Sequence, residues 1–263
     1  MDILLSGYLE SLKESPQLIS QAATYLPQLL ELADREVRDQ LGRTVSARRE
    51  NTRRMFPGSL FLFEEDDVVV SLRRLSEPSP HLHLVPRLIA FIPLSGTLQI
   101  EEYRVDRGEG QFHTDIFTGR ETATFLRTAA FAPGQIYVRD DPTLVFDVHG
   151  SGQVISIYAG LLGRLDWSFD RASGKALGVA ASDPRDTDIE ALLGIVKAMG
   201  PDLGEEAIAP ALKHPSYFVR WAALQALNEV RPQSVRAWLP VLAADPHPEI
   251  AGISAALLRQ TEA

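Results

Sequence analysis

No cysteine occurs in the 263 residues. That excludes a disulfide framework, a thiolate nucleophile and sulfur-ligated zinc or iron–sulfur sites, and it fits a reducing compartment. Long apolar runs are also missing. No uncharged stretch approaches the roughly 20 residues of a membrane-spanning helix. The opening Met1-Asp2-Ile3-Leu4-Leu5 lacks a basic n-region, so no signal peptide is expected and the reading is cytoplasmic, with no membrane partner. Positive charge is in the minority: Lys and Arg number 26 against 35 Asp and Glu, a net charge of −9. Nucleic acid is therefore not expected as a partner. Phosphate-binding glycine loops, a Rossmann glycine set, a nucleophile-elbow serine and a helical His-Glu-x-x-His are all absent, and Gly108-Glu109-Gly110 reads as a turn.

The length suits two domains rather than one, and 45% apolar with 23% charged residues is an ordinary globular balance. One window departs from the acidic average. Arg35, Arg38, Arg43, Arg48, Arg49, Arg53 and Arg54 crowd together, interleaved with Asp34, Glu36, Asp39 and Glu50. This reads as a solvated helix face running into a basic linker; the alternative is a strip that binds phosphate or acid.

Three segments follow from periodicity. Over residues 1–43, Leu18, Ala22, Leu26, Leu29, Ala33, Val37 and Leu41 recur at three- and four-residue steps and form one apolar helical stripe. Pro27 predicts a kink, or two helices with Pro27 in the first turn of the second, and Gly42 is the expected stop. Residues 44–178 change to short β-rich runs: Leu60–Phe63, Val68–Val70, Leu88–Ile92, Thr97–Ile100 and Thr122–Phe125. Turn residues separate them, so a β-sandwich or barrel is expected. Leu144–His149, Gly150-Ser151-Gly152 and Gln153–Tyr158 read as a closing hairpin. Residues 179–263 return to helix and carry a repeat. Ala207-Ile208-Ala209-Pro210-Ala211-Leu212 matches Ala237-Trp238-Leu239-Pro240-Val241-Leu242, and Pro215, Val219, Ala223 and Leu227 match Pro246, Ile250, Ser254 and Leu258. Each unit reads as a helix, a proline-marked turn and a second helix, burying its apolar face by stacking.

His81-Leu82-His83 carries the clearest chemistry. Two imidazoles two residues apart on a strand point to the same side, which is how a small barrel presents two nitrogen ligands to one metal. Neutral imidazoles suit iron, nickel, copper or zinc.

Two resemblances rest on these residues. His214-Pro215-Ser216-Tyr217-Phe218-Val219-Arg220, with Asp245-Pro246-His247-Pro248-Glu249-Ile250 one unit later, resembles HEAT repeats. The likeness implies a partner-binding surface over residues 186–260, or a buttress for the preceding domain. The β-rich segment resembles the cupin fold, and within it the cysteine (thiol) dioxygenase family. The matching pieces are His81-x-His83, Gly96-x-Leu98 with Tyr103, Pro133-Gly134, Val154–Gly160, and Phe169-Asp170 with Ser173-Gly174. The implied whole is an α+β multidomain chain: N-terminal helices, a cupin-type jelly roll and C-terminal HEAT-like repeats.

The family likeness implies one non-haem iron(II) held by His81, His83 and a third histidine, with Tyr158 donating a hydrogen bond to a small-molecule substrate or to the bound oxygen species. It also implies an arginine gripping a substrate carboxylate, for which Arg53, Arg54, Arg73 and Arg74 lie at eligible positions. Ser156 stands where the family carries a histidine. His149 is the nearest third ligand, but the expected hairpin register turns it away from Tyr158, and the bland alternative is a solvent-side loop histidine. His113, on an expected middle strand, is a second candidate. Tyr158 equally reads as an aromatic that fills the barrel. Two classes therefore stay open: an iron oxygenase, or a non-catalytic cupin that senses a small ligand or serves as a scaffold. Asp166–Asp170 reads as a surface strap.

Overall fold

The computed structural model describes residues 3–45, 59–65, 67–106, 112–141, 143–199 and 205–262. The chain divides into two compact units, residues 1–180 and 181–263.

The first unit opens with α1 (Ile3–Glu14), a 3-10 stretch (Pro16–Tyr25) and α2 (Leu26–Val45). Leu5, Tyr8, Leu9 and Leu12 line the buried side of α1 at three- and four-residue steps. Pro27 sits in the first turn of α2, where its missing N–H costs nothing. The helix passes through Gly42 to Val45, so the expected stop at Gly42 is corrected. A lone glycine weakens a helix by only about 1 kcal/mol and does not end it unless a left-handed cap forms. Arg38 pairs with Asp34 one turn back at 2.8 Å, an ordinary solvated helix pair, while Arg48, Arg49, Arg53 and Arg54 lie outside the described residues.

The strands are β1 (Ser59–Glu65), β2 (Val68–Arg74), β3 (His81–Leu84), β4 (Arg87–Pro93), β5 (Thr97–Asp106), β6 (Thr122–Phe131), β7 (Tyr137–Arg139), β8 (Leu144–Ser151), β9 (Gln153–Leu161), β10 (Leu165–Asp170) and β11 (Ala176–Ala181). They form two antiparallel sheets, one ordered β1-β2-β9-β4-β7 and the other β11-β10-β3-β8-β5-β6. On one face of the first sheet Val68, Val70, Ala90, Ile92, Ile155 and Ile157 pack against Leu5, Leu9, Leu12, Leu29 and Leu32 of the helices. Its other face supplies Ile89, Phe91, Val154 and Tyr158 to a shared core with Leu98, Ile100, Phe146 and Val148 of the second sheet. β4 is buried on both faces, which is why it reads as a continuous apolar run rather than an alternation.

The closing hairpin is corrected: β8 pairs with β5 and β3, whereas β9 pairs with β2 and β4. Gly150-Ser151-Gly152 carries the chain from one sheet to the other. Gly150 (φ 130°) and Gly152 (φ 92°) lie in the left-handed region, and a Cβ on either would run into the carbonyl of Thr97 or of Ser95. Two further readings change. His113 lies in a non-strand segment, where its Nδ1 accepts from the Asp115 N–H at 3.2 Å. The expected strap is β10, with Trp167 and Phe169 buried. Trp167 is held beneath Phe112 and Phe117 and donates to the Thr114 carbonyl at 2.7 Å.

The second unit comprises α3 (Pro184–Met199), α4 (Glu205–Ile208), a 3-10 turn (Ala211–Lys213), α5 (Tyr217–Val230), α6 (Pro232–Leu242) and α7 (Pro248–Glu262). Leu193, Leu212, Val219, Ala223, Leu227, Leu239 and Ile250 form its core. The first helix of the first expected repeat is reduced to α4 and the 3-10 turn, whereas its counterpart α6 runs through Pro240. Buried Arg220 grips Asp245 through Nε at 2.6 Å and Nη2 at 2.7 Å, and also donates to the carbonyls of His214 and Pro215. Among the described residues no helix is long and apolar enough to cross a membrane.

Candidate functional site

Strand β3 alternates: His81 and His83 lie on its exposed side, Leu82 and Leu84 are fully buried. Leu82 and Leu84 pair across the ladder with Phe169 and Trp167, so the strand's apolar side belongs to that aromatic layer. The structure thus brings His81 and His83 to one side, as the spacing requires. Across from them on β10 stand Asp170 and Ser168. Across from His83 on β8 stands Phe146. Residues facing each other across an antiparallel ladder share a side of the sheet. The His83 imidazole is held below its ordinary range by partial burial, with His81 adding like-charge repulsion and Asp147 and Asp166 opposing both.

His149 does not join them. Its Nδ1 lies 3.0 Å from Asp147 Oδ2 and its Nε2 lies 3.0 Å from Gln99 Oε1, on the side of the second sheet opposite Phe146 and Val148. Asp147 also pairs with Arg171, which reaches Glu101 Oε2 at 2.5 Å and the Ser79 carbonyl at 2.6 Å. Tyr103 donates to Glu101 at 2.6 Å and its hydroxyl is pushed up to about 12, by burial first and then by that carboxylate. Glu101 sits below its usual range because the hydrogen bonds from Tyr103 and Arg171 outweigh burial. This network ties the turn after β10 and the segment before β3 onto β5 and β8.

Of the expected set His81, His83 and His149, the first two share a side and His149 lies on the opposite face of the sheet, because successive residues along β8 point to opposite faces. Among the described residues no group of three or more His, Asp or Glu side chains could hold a metal ion. The iron(II) that the family likeness implies would find two imidazoles on this side, with Phe146 across from His83 on β8 and Asp170 across from His81 on β10.

Tyr158 faces the shared core between the sheets, its ring edge-on to Phe91 at 6.3 Å. The inward side of the first sheet is built in rows. Val69, Tyr158, Ile89 and Arg139 form one, and Ser71, Ser156, Phe91 and Tyr137 the next. Beyond these, Arg73 faces Val154. The Arg73 guanidinium lies 5.2 Å from the centre of the Phe91 ring. Of the four arginines at eligible positions, only Arg73 is placed in this interior; Arg74 is exposed and Arg53 and Arg54 lie outside the described residues. Arg139, missed by the sequence reading, lies 4.8 Å over Phe146 and donates to the carbonyls of Val85, Arg87 and Leu144. Burial draws its guanidinium down to about 10. Glu102, also missed, accepts from Tyr137 at 2.6 Å and from Arg127 at 2.5 Å; burial works against its charge, but these bonds hold it below the carboxylate range. A signal for the inward row existed: Val68, Val70 and Leu72 alternate with Val69, Ser71 and Arg73, so a polar period-two set follows whichever side the helices cover.

No family model matches the chain, and no curated protein matches it. Among solved structures, hydroquinone 1,2-dioxygenase PnpCD in complex with Cd2+ and 4-hydroxybenzonitrile is similar at a TM-score of 0.30 and 15% identity, over 39% of this chain and 64% of that one. Hydroquinone 1,2-dioxygenase from Sphingomonas sp. TTNP3 with 4-hydroxybenzoate bound gives 0.30 and 7%, over 40% and 68%. The ribosomal oxygenase YcfD of Escherichia coli gives 0.25 and 13%, over 66% and 41%. Likeness at these scores is weak and carries no activity across to this chain.

Proposed function

We propose that this chain is a cupin-type recognition protein whose sandwich interior takes a small ligand, and that it is not an iron dioxygenase. The observation that supports this reading is the ladder pairing of His83 with Phe146. It leaves the imidazole pair without a third nitrogen on its own side, while His149 is tied to Asp147 and Gln99 on the other. A facial three-nitrogen site would need all donors converging within about 2 Å of one point. Inward-facing Ser71, Arg73, Ser156 and Tyr158 are then ligand contacts rather than parts of an oxygenase, and Tyr158 serves as a hydrogen-bond donor to the ligand. The second unit supplies the partner surface. Its expected seat is α3, where Leu192, Ile195 and Met199 are exposed along one side of the helix.

Metal content tests the reading. Protein purified and then reconstituted anaerobically with ferrous iron is expected to hold well under one iron per chain, with His81→Ala and His83→Ala unchanged. Near-stoichiometric iron that both substitutions abolish overturns it.

A further inference from the structure

Among the described residues, three buried polar atoms at or beside the Ser71–Ser156 row have no hydrogen-bond partner: Oγ of Ser156, and Nε and Nη2 of Arg73 in the next row. Ser156 is fully buried, and Ser71, directly across the β2–β9 ladder from it, is nearly so. Phe91 stands on the other side of Ser156, so the guanidinium lying over Phe91 is carried toward the two hydroxyls. A charge withdrawn from water without a counter-ion is costly, and the two buried nitrogens lose their hydration with nothing in exchange. Buried Glu102, across from Phe146 on β5, is already engaged by Tyr137 and Arg127. Arg139 adds a second buried cation, whose Nη1 and Nη2 donate to carbonyls and whose buried Nε has no partner among the described residues. Among the described residues the interior is therefore rich in donors and short of negative charge. Arg73 itself is only partly buried, which leaves a way in from solvent.

We infer that Arg73, Ser71 and Ser156 form a binding site for a tetrahedral oxyanion, a phosphate- or sulfate-type group, either free or as the head of a small ester. A planar carboxylate is satisfied by the guanidinium fork alone. Two hydroxyls from adjacent strands beside that fork supply donors in further directions, which suits a group with three or more peripheral oxygens. The inference rests on the small-ligand reading above and names its ligand class.

Titration of the full-length chain tests it. Inorganic phosphate, sulfate and acetate are each added at constant ionic strength in chloride buffer, followed by calorimetry and by the thermal midpoint. Phosphate or sulfate is expected to bind saturably at one site and to raise the midpoint by about 5 °C near saturation. Arg73→Met is expected to abolish both responses, and Ser156→Ala, which removes an unpartnered hydroxyl and keeps the fold, to weaken binding about tenfold. Should Arg73→Met fail to fold, Ser156→Ala decides. Saturable acetate binding without phosphate or sulfate binding overturns the oxyanion class but leaves the small-ligand reading standing. No saturable binding of any of the three, or binding unchanged in Ser156→Ala, overturns the site. Iron content is read separately, so failure of the recognition reading is told apart from failure of the anion site.

Discussion

His83 and Phe146 face each other across the β3–β8 ladder, an imidazole and a phenyl ring on one side of one sheet. That pairing gives one position at which a third imidazole would share their side. Phe146→His should therefore create what the wild type lacks: three imidazoles on one side. The variant is expected to bind one nickel or zinc ion per chain at least tenfold more tightly than the wild type, measured by isothermal titration, with His83→Ala reversing the gain. Removing the buried ring beneath Arg139 should cost about 3 kcal/mol of stability. Unchanged metal affinity in a folded variant would show that the two side chains do not share a side.

Acid should act through the Arg171 network. Glu101 and Glu102 are held below the ordinary carboxylate value of 4.5 in the folded state, by Tyr103 with Arg171 and by Arg127 with Tyr137. Groups with depressed folded values stabilise the protein fully above the unfolded value and lose that contribution as pH falls through the folded one. Urea unfolding midpoints are expected to fall steadily below about pH 4.5. Arg171→Met should lower stability at pH 7 and flatten the Glu101 share of the decline. An equally steep acid limb in that variant would sever the link.

In the second unit, Arg220 and Asp245 form a buried two-pronged pair. Arg220→Ala strands the Asp245 carboxylate and leaves the His214 and Pro215 carbonyls unserved. The expected cost is about 3–5 kcal/mol, typical of breaking a buried pair by removing one partner. Replacing both residues with apolar ones should recover much of it. Denaturation of the two variants and the double variant checks this, and a loss below about 1 kcal/mol in Arg220→Ala would mark the pair as a surface-like contact.

Much of the architecture is legible in one dimension because it is local. The stripe through Ala22, Leu29 and Ala33 and the short runs at 60–63, 68–70, 88–92 and 97–100 report which backbone periods bury apolar atoms, although the part before Leu26 is a 3-10 stretch rather than α-helix. Pro27 sits at a helix start because proline tolerates little else. The same local logic failed at 144–158, where a glycine-serine-glycine turn between two strands looks alike whether the strands pair or part into different sheets.

The sequence by itself determined the order of helices, strands and helices, the common side of His81 and His83, and the absence of any cysteine chemistry, since each depends on residue identity or on a spacing of a few residues. Only the tertiary structure decided what meets those imidazoles. Whether His149 or Phe146 stands opposite His83 turns on strand order and a three-residue difference in register, and side-chain direction reverses with every residue along a strand. The burial of Nε and Nη2 of Arg73 without a partner among the described residues was likewise settled by packing, because the chain alone would leave those nitrogens solvated.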